Sequence, residues 1–464
     1  MLRLSSYAVL SNRMKHGGYA LLSGMTGAVD VIDDVLNGIL CDKIQKTAPH
    51  EIYFNDGELP DDIKEHWQER GYLTEFNHDD EKARLKAVAE VLHECLQSNP
   101  GVVIVPDSNC NYRCVYCFEK HLQTDKNKNS IMTEEEADWV YKALDQLSRS
   151  GGKKDITLFG GEPLSAASRD IIFKIVNTGI EKGYEFFAVT NGHDLDMFIP
   201  LLGTGKISGI QITMDGSKPV HDKRRVTLDG SSSYDKLTAN IRKALGETDV
   251  VINIRVNIDD GNIDDFGNLI EDYEREGWMN SQRLSVGAAI VYIKNKNGEV
   301  LPARDIAYIE AKLRKYADKY DNISIGSSQA TGGMQVFNAL AGDKPYNLRT
   351  GFCAASSGMY IFLPGGEVYS CWESIGREHG KIGAYSDVGM VIDPEKSAEW
   401  FGRNAALIPE CLDCKYCLVC AGGCAQYALY NNKSLYKPFC DDFDKSYSWV
   451  LADAVEKYLS RQGL

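Results

Sequence analysis

The 464-residue chain reads as an α/β protein: a parallel sheet, open or curved into a partial barrel, with a cysteine-rich extension behind it. Three observations predict this. Between residues 101 and 295, β-prone apolar runs alternate with amphipathic stretches of helical period. The glycine- and cysteine-bearing motifs of that region fall just after apolar runs, and sites on parallel sheets sit at the carboxyl ends of the strands. Eight of the thirteen cysteines lie between residues 353 and 440.

Residues 1–80 are expected to be a module of their own. Tyr7–Leu10 and Tyr19–Leu22 flank the turn-like His16-Gly17-Gly18, which predicts a hairpin. Val29, Val31, Ile32, Val35, Leu36 and Ile39 recur at helical spacing, as does the stretch from Leu59 to Leu73. Residues 81–100 are expected to hold a linking helix, Asp80 to Ser98, burying Leu85, Val88, Val91, Leu92, Cys95 and Leu96 on one face. Cys95 and Cys41 read as inert buried thiols.

The strand candidates of residues 101–330 are Val102–Pro106, Ile156–Phe159, Glu185–Thr190, Gly209–Met214, Val250–Ile258 and Leu284–Tyr292, with helical stretches between them. Thr133-Glu134-Glu135-Glu136 is a capping-box pattern that opens a helix with Val140, Ala143, Leu144 and Leu147 on one face. Ala303 to Lys319 reads as a helix, and Asp321 to Asn347 as irregular chain containing Gly332-Gly333.

Directly after the first strand comes Cys110-Asn-Tyr-Arg-Cys114-Val-Tyr-Cys117, three cysteines spaced C-x3-C-x2-C. Three thiolates on one compact loop can hold three irons of a cubane cluster and leave the fourth open for a substrate or cosubstrate. A zinc site, a disulfide and buried thiols are the rival readings; structural zinc wants four closed ligands, and no His or fourth Cys lies nearby in sequence.

C-x3-C-x2-C with the aromatic Tyr116 before the last cysteine resembles the signature loop of the radical S-adenosylmethionine (SAM) enzymes. The resemblance implies a partial (β/α)6 TIM-like barrel, SAM chelated to the open iron of a [4Fe–4S] cluster, and a 5′-deoxyadenosyl radical that abstracts hydrogen. Phe159-Gly160-Gly161-Glu162-Pro163 follows the second strand and is similar to the family's GGEP segment, which lines the methionyl part of SAM. It implies contacts at Gly160, Gly161 and Glu162, with Gly161 foremost. Thr190-Asn191-Gly192 resembles the ribose-contacting turn, which points to Asn191; an ordinary strand-end turn is the alternative.

The stretch from Ile212 to Arg225 resembles the family's S-x-D-G-P-x-x-x-H-x-x-x-R block, with Ser217 in place of the usual Pro. It implies that Thr213 touches SAM by its hydroxyl and Arg225 by its guanidinium, while His221 is a structural hydrogen bonder. Arg255 on the fifth strand is a further polar candidate, with a salt bridge as the alternative.

Cys353 and Cys371 read C-x12-G-x4-C with Gly366 at the marker position, Cys411, Cys414, Cys420 and Cys424 read C-x2-C-x5-C-x3-C, and Cys440 closes the series. The pattern resembles the seven-cysteine SPASM extension, expected over residues 345–445 before a C-terminal helix at 446–464. That resemblance implies two auxiliary [4Fe–4S] clusters, three clusters in all. Cys353, Cys371 and Cys424 would hold the nearer one, and Cys411, Cys414, Cys420 and Cys440 the farther. The nearer is one ligand short; Cys417 is extra, and either fills the gap or stays a thiol. Two structural zinc sites are the alternative.

Within this extension the anaerobic sulfatase-maturing branch carries a catalytic Asp after the cysteine that aligns with Cys371, whereas here Trp372 and then Glu373 follow. The reading is therefore a maturase of ribosomally made peptides. It would form Cys-to-carbon thioether links, with carbon–carbon crosslinking second, then sulfatase maturation, and a non-catalytic iron-sulfur sensor last. Residues 1–80 resemble winged-helix elements that bind leader peptides. A flavodoxin or ferredoxin would be the low-potential electron donor.

With 51 basic against 66 acidic residues the net charge is −15, which argues against broad nucleic-acid binding. No secretory signal and no apolar run long enough for a bilayer is evident, and clustered cysteines in such a chain point to metal; a cytoplasmic location is expected.

Overall fold

The computed structural model describes residues 1–122, 130–147, 154–326, 328–342 and 345–463. Two compact units emerge. The first comprises Met1–Leu96, Ser327–Ser356 and Arg403–Leu464; the second comprises Gln97–Gly326 and Ser357–Gly402.

The second unit is built on one sheet. Its strands are β1 (Gly101–Ile104), β2 (Asp155–Leu158), β3 (Glu185–Thr190), β4 (Ile207–Thr213), β5 (Val251–Ile258), β6 (Leu284–Ile290), β7 (Ile323–Ile325), β8 (Met359–Leu363), β9 (Glu367–Tyr369), β10 (Lys381–Ser386) and β11 (Gly389–Ile392). The order is β7-β6-β5-β4-β3-β2-β1-β8-β9-β10-β11. Strands β7 through β8 pair in parallel and β8 through β11 antiparallel. All six expected strands are present. A seventh, β7, extends the parallel run where irregular chain was expected.

Thr133 caps the helix α1 (Glu134–Asp145) as expected, accepting from Glu136 N while Glu136 accepts from Thr133 N. Helix α2 (Arg169–Glu181) follows β2. Between β3 and β4 the expected helix is replaced by two 3-10 turns, Leu195–Met197 and Ile199–Leu201.

The sheet has two unlike faces. On β4 and β5, Ile210, Ile212, Ile252, Ile254, Val256 and Ile258 are buried, while Gln211, Asn253, Arg255 and Asn257 alternate with them and are half-buried. In register, Gln211 pairs with Asn253 and Asn253 with Ser285, and Thr213 pairs with Arg255 and Arg255 with Gly287. Because side chains alternate along a strand, these polar groups share the face opposite the apolar one. A half-open polar face on a partial-barrel sheet is where a polar ligand can lie.

In the first unit, Ala8–Leu10 and Tyr19–Ser23 form the expected hairpin, and Val29–Ile32 adds a third antiparallel strand. Val29 to Ile32 was expected to be helical; the helix begins only at Asp34, capped by Asp33, and runs to Lys46. V-D-V-I satisfies both periods, and the pairing with Tyr19–Ser23 decides it. A second small sheet pairs Leu2–Leu4 with Tyr53–Phe54 and Leu73–Thr74.

The linking helix, His78–Gln97, buries Glu81, Leu85, Ala89 and His93, leaving Val88, Val91 and Cys95 exposed. The expected face and the buried Cys95 are both corrected by this, and Cys41 is only half-buried. The cause is polar: Glu81 forms a buried salt bridge with Arg3 at 2.6 Å and accepts from Ser5 Oγ and Ser6 N, which turns the helix on a stripe that hydropathy does not reveal.

Part of the stretch expected to be irregular, Asp321 to Asn347, is a helix, Ser328–Ala341; Gly332 there has a Cβ position only 2.7 Å from the Tyr447 ring, so it permits close packing. Residues 327, 343 and 344 of that stretch, and 464 of the expected C-terminal helix, lie outside the described residues. The latter helix runs Phe443–Gln462. Among the described residues no helix is long and apolar enough to cross a membrane.

Candidate active site

The cysteine loop leaves the carboxyl end of β1. Its backbone zips to the segment after β4: Arg113 N donates to Val226 O at 2.7 Å, Val115 N to Arg224 O at 3.1 Å and Leu228 N to Asn111 O at 3.1 Å. Cys110, Cys114 and Cys117 are each half-buried. Burial, reinforced by Glu162, pushes the Cys110 thiol up to about 12, and burial with Glu119 pushes Cys117 to about 11. Such thiols become thiolates only when something cationic takes the proton's place.

The GGEP loop after β2 meets this one directly. Gly160 has φ of +122°, where only glycine is at ease, and a Cβ there would stand 2.4 Å from Val105 Cγ1. A Cβ on Gly161 would stand 2.3 Å from the carbonyl oxygen of Asn109, beside Cys110. Glu162 turns inward. Its carboxylate accepts from Leu164 N at 2.9 Å, Asn191 N at 2.6 Å and Thr190 Oγ1, tying the loop to the end of β3. Burial outweighs those bonds and pushes Glu162 up to about 7. Asn191 Nδ2 in turn donates to Asn111 Oδ1 at 2.6 Å and lies 3.7 Å from Cys110 Sγ.

A buried polar network braces the loop from the other side. Tyr116 OH donates to Asp215 and accepts from Arg225 Nη1 at 3.0 Å and Asn257 Nδ2 at 3.2 Å. Asp215 also accepts from Asn257 N at 2.9 Å, and its carbonyl accepts from Asn262 Nδ2 at 2.7 Å. Burial alone would lower the Arg225 pKa, but Cys114, Tyr116 and Asp215 hold it firmly charged. Arg224 makes a bidentate pair with Asp259 at 2.8 and 2.9 Å. Arg255 Nε donates to Asn257 Oδ1 at 2.9 Å, and Thr213 is its register partner on the polar face.

His221 is fully buried, accepts from Asp215 N at Nδ1, and has its pKa lowered to about 3 by burial and then Arg225, so it is a neutral structural group. Sequence reasoning did not single out Asp215, Asn257 or Asn262. Alternation of polar residues in Asn253-Ile-Arg-Val-Asn257 was the available signal for Asn257.

Cys371 sits in the same unit, just after β9, and opens a 3-10 turn with Trp372. Trp372 packs edge-on to Phe159 at 4.2 Å between ring centres, so this segment adjoins the GGEP loop. Glu373 faces Glu119, a buried carboxyl with Oε1 lacking a hydrogen-bond partner; burial and Glu373 push Glu119 up to about 8.

The other cysteines of the extension lie in the first unit. Cys411 and Cys417 are buried, Cys414, Cys420 and Cys424 half-buried, and Cys353 and Cys440 exposed. Cys417 sits in an apolar cluster with Tyr7, Leu85, Ala405 and Leu418, and the other thiols beside it are those of Cys411, Cys414 and Cys420. None of the thirteen cysteines is in a disulfide. Among the described residues, no three His, Cys, Asp or Glu side chains are gathered to hold a single metal ion.

Residues 104–273 match the Radical SAM superfamily. The chain is 23% identical over 453 residues to the radical SAM cyclopropyl synthase TigE of Paramaledivibacter caminithermalis, covering 91% of this chain and 89% of that protein. It is 21% identical over 329 residues to a cysteine-type anaerobic sulfatase-maturating enzyme of Clostridium perfringens, covering 68% and 86%. Two solved structures share the fold. Native anSMEcpe with bound AdoMet and Cp18Cys peptide has a TM-score of 0.55 at 15% identity, covering 77% of this chain and 99% of that one. Streptococcus suis SuiB bound to S-adenosylmethionine has a TM-score of 0.51 at 14% identity, covering 94% and 98%.

Proposed function

We propose, on the premise that residues 104–273 are a radical SAM domain, that this chain is a radical SAM maturase acting on a ribosomally made precursor peptide. The observation that carries the reading is the meeting, at one end of the sheet, of a three-thiol loop, a glycine with no room for a Cβ and a polar strand face. The residues fit the implied groups. Three thiols are a soft donor set for iron, and the buried Arg225 Nε lacks a hydrogen-bond partner, leaving a donor for an anionic ligand.

Cys110, Cys114 and Cys117 would hold the [4Fe–4S] cluster. Bound there with SAM, it supplies one-electron cleavage of the sulfonium, the source of hydrogen-abstracting power. The chain's own residues then divide the work. Gly160 and Gly161 let backbone approach the cosubstrate. Thr213, Arg255 and Asn191 offer polar groups toward it. Tyr116 and Glu162, with most of their bonds turned into the protein, hold the loops in register and act as positioning residues. The apolar face of the sheet keeps water from behind the site.

Two auxiliary clusters, on Cys353, Cys371 and Cys424 and on Cys411, Cys414, Cys420 and Cys440, complete three in all. The neighbours of Cys417 are Cys411, Cys414 and Cys420 of the second set, which supports reading it as the extra thiol and the first set as one ligand short. An open position there suits a substrate thiolate, and supports a Cys-to-carbon thioether as the product. The length-wide likeness to a cyclopropyl synthase favours a second reading, carbon–carbon bond formation. The peptide bound in the anSMEcpe structure supports a peptide substrate for this fold. Residues 1–80 would bind its leader, and a flavodoxin or ferredoxin would supply electrons.

The test is anaerobic reconstitution with a low-potential reductant and candidate precursor peptides. The expected result is roughly twelve irons per chain, 5′-deoxyadenosine from SAM, and a peptide lighter by two hydrogens. Loss of an alkylatable thiol identifies the thioether; its retention identifies a carbon–carbon bond. A chain holding its full iron that leaves SAM uncleaved sinks the proposal.

A further inference from the structure

A buried cation stands among the cysteines of the first unit, with the half-buried Arg349 also beside Cys353 and Cys420. Arg403 is wholly shielded from solvent. Its Nε donates to Leu435 O, and its Nη2 to Gly422 O at 2.8 Å and Lys437 O at 3.2 Å. Its Nη1 has no hydrogen-bond partner. No carboxylate pairs with it among the described residues. A buried guanidinium without a counter-charge costs several kcal/mol, so the fold must place anions beside it. The ionisable groups beside it are the thiols of Cys411, Cys424, Cys353 and Cys420, anionic only once they hold a metal. The approach is close: a Cβ on Gly422 would stand 3.3 Å from Arg403 Nη2 and 3.5 Å from Cys411 Sγ. Cys353 and Cys424 belong to one expected ligand set, and Cys411 and Cys420 to the other.

We propose that Arg403 is the shared counter-cation of both auxiliary cysteine sets and raises the reduction potentials of the clusters they hold. The inference rests on the reading that these cysteines carry iron-sulfur clusters. Reduction adds negative charge, which a buried cation stabilises, and an N–H aimed at sulfur acts in the same direction. One guanidinium facing both sets also ties their potentials together. Arg403 is a positioning and tuning residue, distinct from any that touches substrate.

The experiment is a potentiometric titration followed by electron paramagnetic resonance, on reconstituted wild-type holoenzyme and on Arg403→Gln and Arg403→Lys, with iron counted in each. The expected result is a downward shift of both auxiliary midpoints in Arg403→Gln, largely reversed in Arg403→Lys. If Arg403→Gln fails to retain auxiliary iron while Arg403→Lys keeps it, the counter-cation role is equally supported. Unchanged midpoints in fully loaded Arg403→Gln overturn the proposal. So does loss of iron in both variants, which would assign Arg403 to the scaffold through its carbonyl contacts alone. A wild type that holds zinc, or only one cluster, overturns the auxiliary-cluster reading itself, and is seen before any variant is made.

Discussion

The two cysteine regions are organised in opposite ways. The Cys110–Cys117 loop is held from afar: the groups that engage Tyr116 come from 99, 109 and 141 residues along the chain. The Cys411–Cys424 segment holds itself. Cys411 N donates to Ile408 O, Cys414 N to Cys411 O, Cys417 N to Cys414 O and Ala421 N to Cys417 O, all at 3.0 Å. Consecutive left-handed residues, Ala421, Gly422 and Gly423 with φ of 59, 74 and 68°, then reverse the chain toward Cys424. A loop whose position is set by strand ends can be aimed at a ligand; a loop knotted by its own turns needs only to be a sound cage.

The contrast predicts that the carboxylate bracing the loop is decisive in the first region and dispensable in the second, where backbone geometry and the buried Arg403 hold the segment. Asp215 is fully buried against Arg225 and Tyr116, so Asp215→Ala strips a buried cation of its counter-charge and should cost about 3–5 kcal/mol. The corresponding carboxylate within the other loop, Asp413, keeps 58% of its side chain exposed where it meets Lys82. Asp413→Ala should cost less than about 1 kcal/mol. Thermal midpoints of the two variants measured side by side check this, and equal losses would break the comparison.

The same contrast explains what the sequence makes legible. Both cysteine sets, the GGEP string and the block from Thr213 to Arg225 are local strings, readable without a fold. The six strands are readable because their apolar residues run continuously, as in Val102–Val105, or alternate with polar ones, as in Ile252–Ile258. What escaped depends on pairing in space. Asn257 and Asn262 matter only because β5 lies beside β4, and Arg403 only because chain reversal brings four cysteines to it. Glu81 and His93 reverse the expected buried face of the linking helix, since a paired carboxylate inside looks like an exposed one until Arg3 is placed. Strand β7, three residues long, carries too little pattern to stand out.

Glycine substitutions sharpen the comparison where the regions agree. A Cβ on Gly423 would stand 1.8 Å from Phe439 O, and its φ is already left-handed, so Gly423→Ala should cost about 2–3 kcal/mol and displace the segment that carries Cys440. The expected signature is loss of roughly four irons with SAM cleavage retained. Gly161→Ala should do the converse: the clash with Asn109 O shifts the first loop, weakening SAM binding by about tenfold or more while auxiliary iron is kept. Binding titrations and iron counts on both variants decide it.

A further effect lies away from any cysteine and separates polar bracing as such from polar bracing of a site. In the N-terminal module Asp30 accepts from Tyr72 OH at 2.6 Å and Arg70 Nε at 2.7 Å. Burial pushes its carboxyl up, but the bonds from Tyr72, Arg70 and His66 together outweigh that and leave its pKa below 3.8. A carboxylate depressed by folding stabilises the fold at every pH above its unfolded value, and the contribution fades as pH falls through the folded one. Tyr72→Phe should therefore lower stability by about 1.5 kcal/mol at pH 7. The deficit should hold down to about pH 4 and close below it, as Asp30 takes up a proton in both proteins. Thermal midpoints across that series test the sign, and SAM cleavage should stay at the wild-type rate throughout the neutral range. A fall in cleavage at pH 7 would mean that bracing in this module reaches the chemistry, and that the division between an aimed loop and a self-contained one is drawn too sharply.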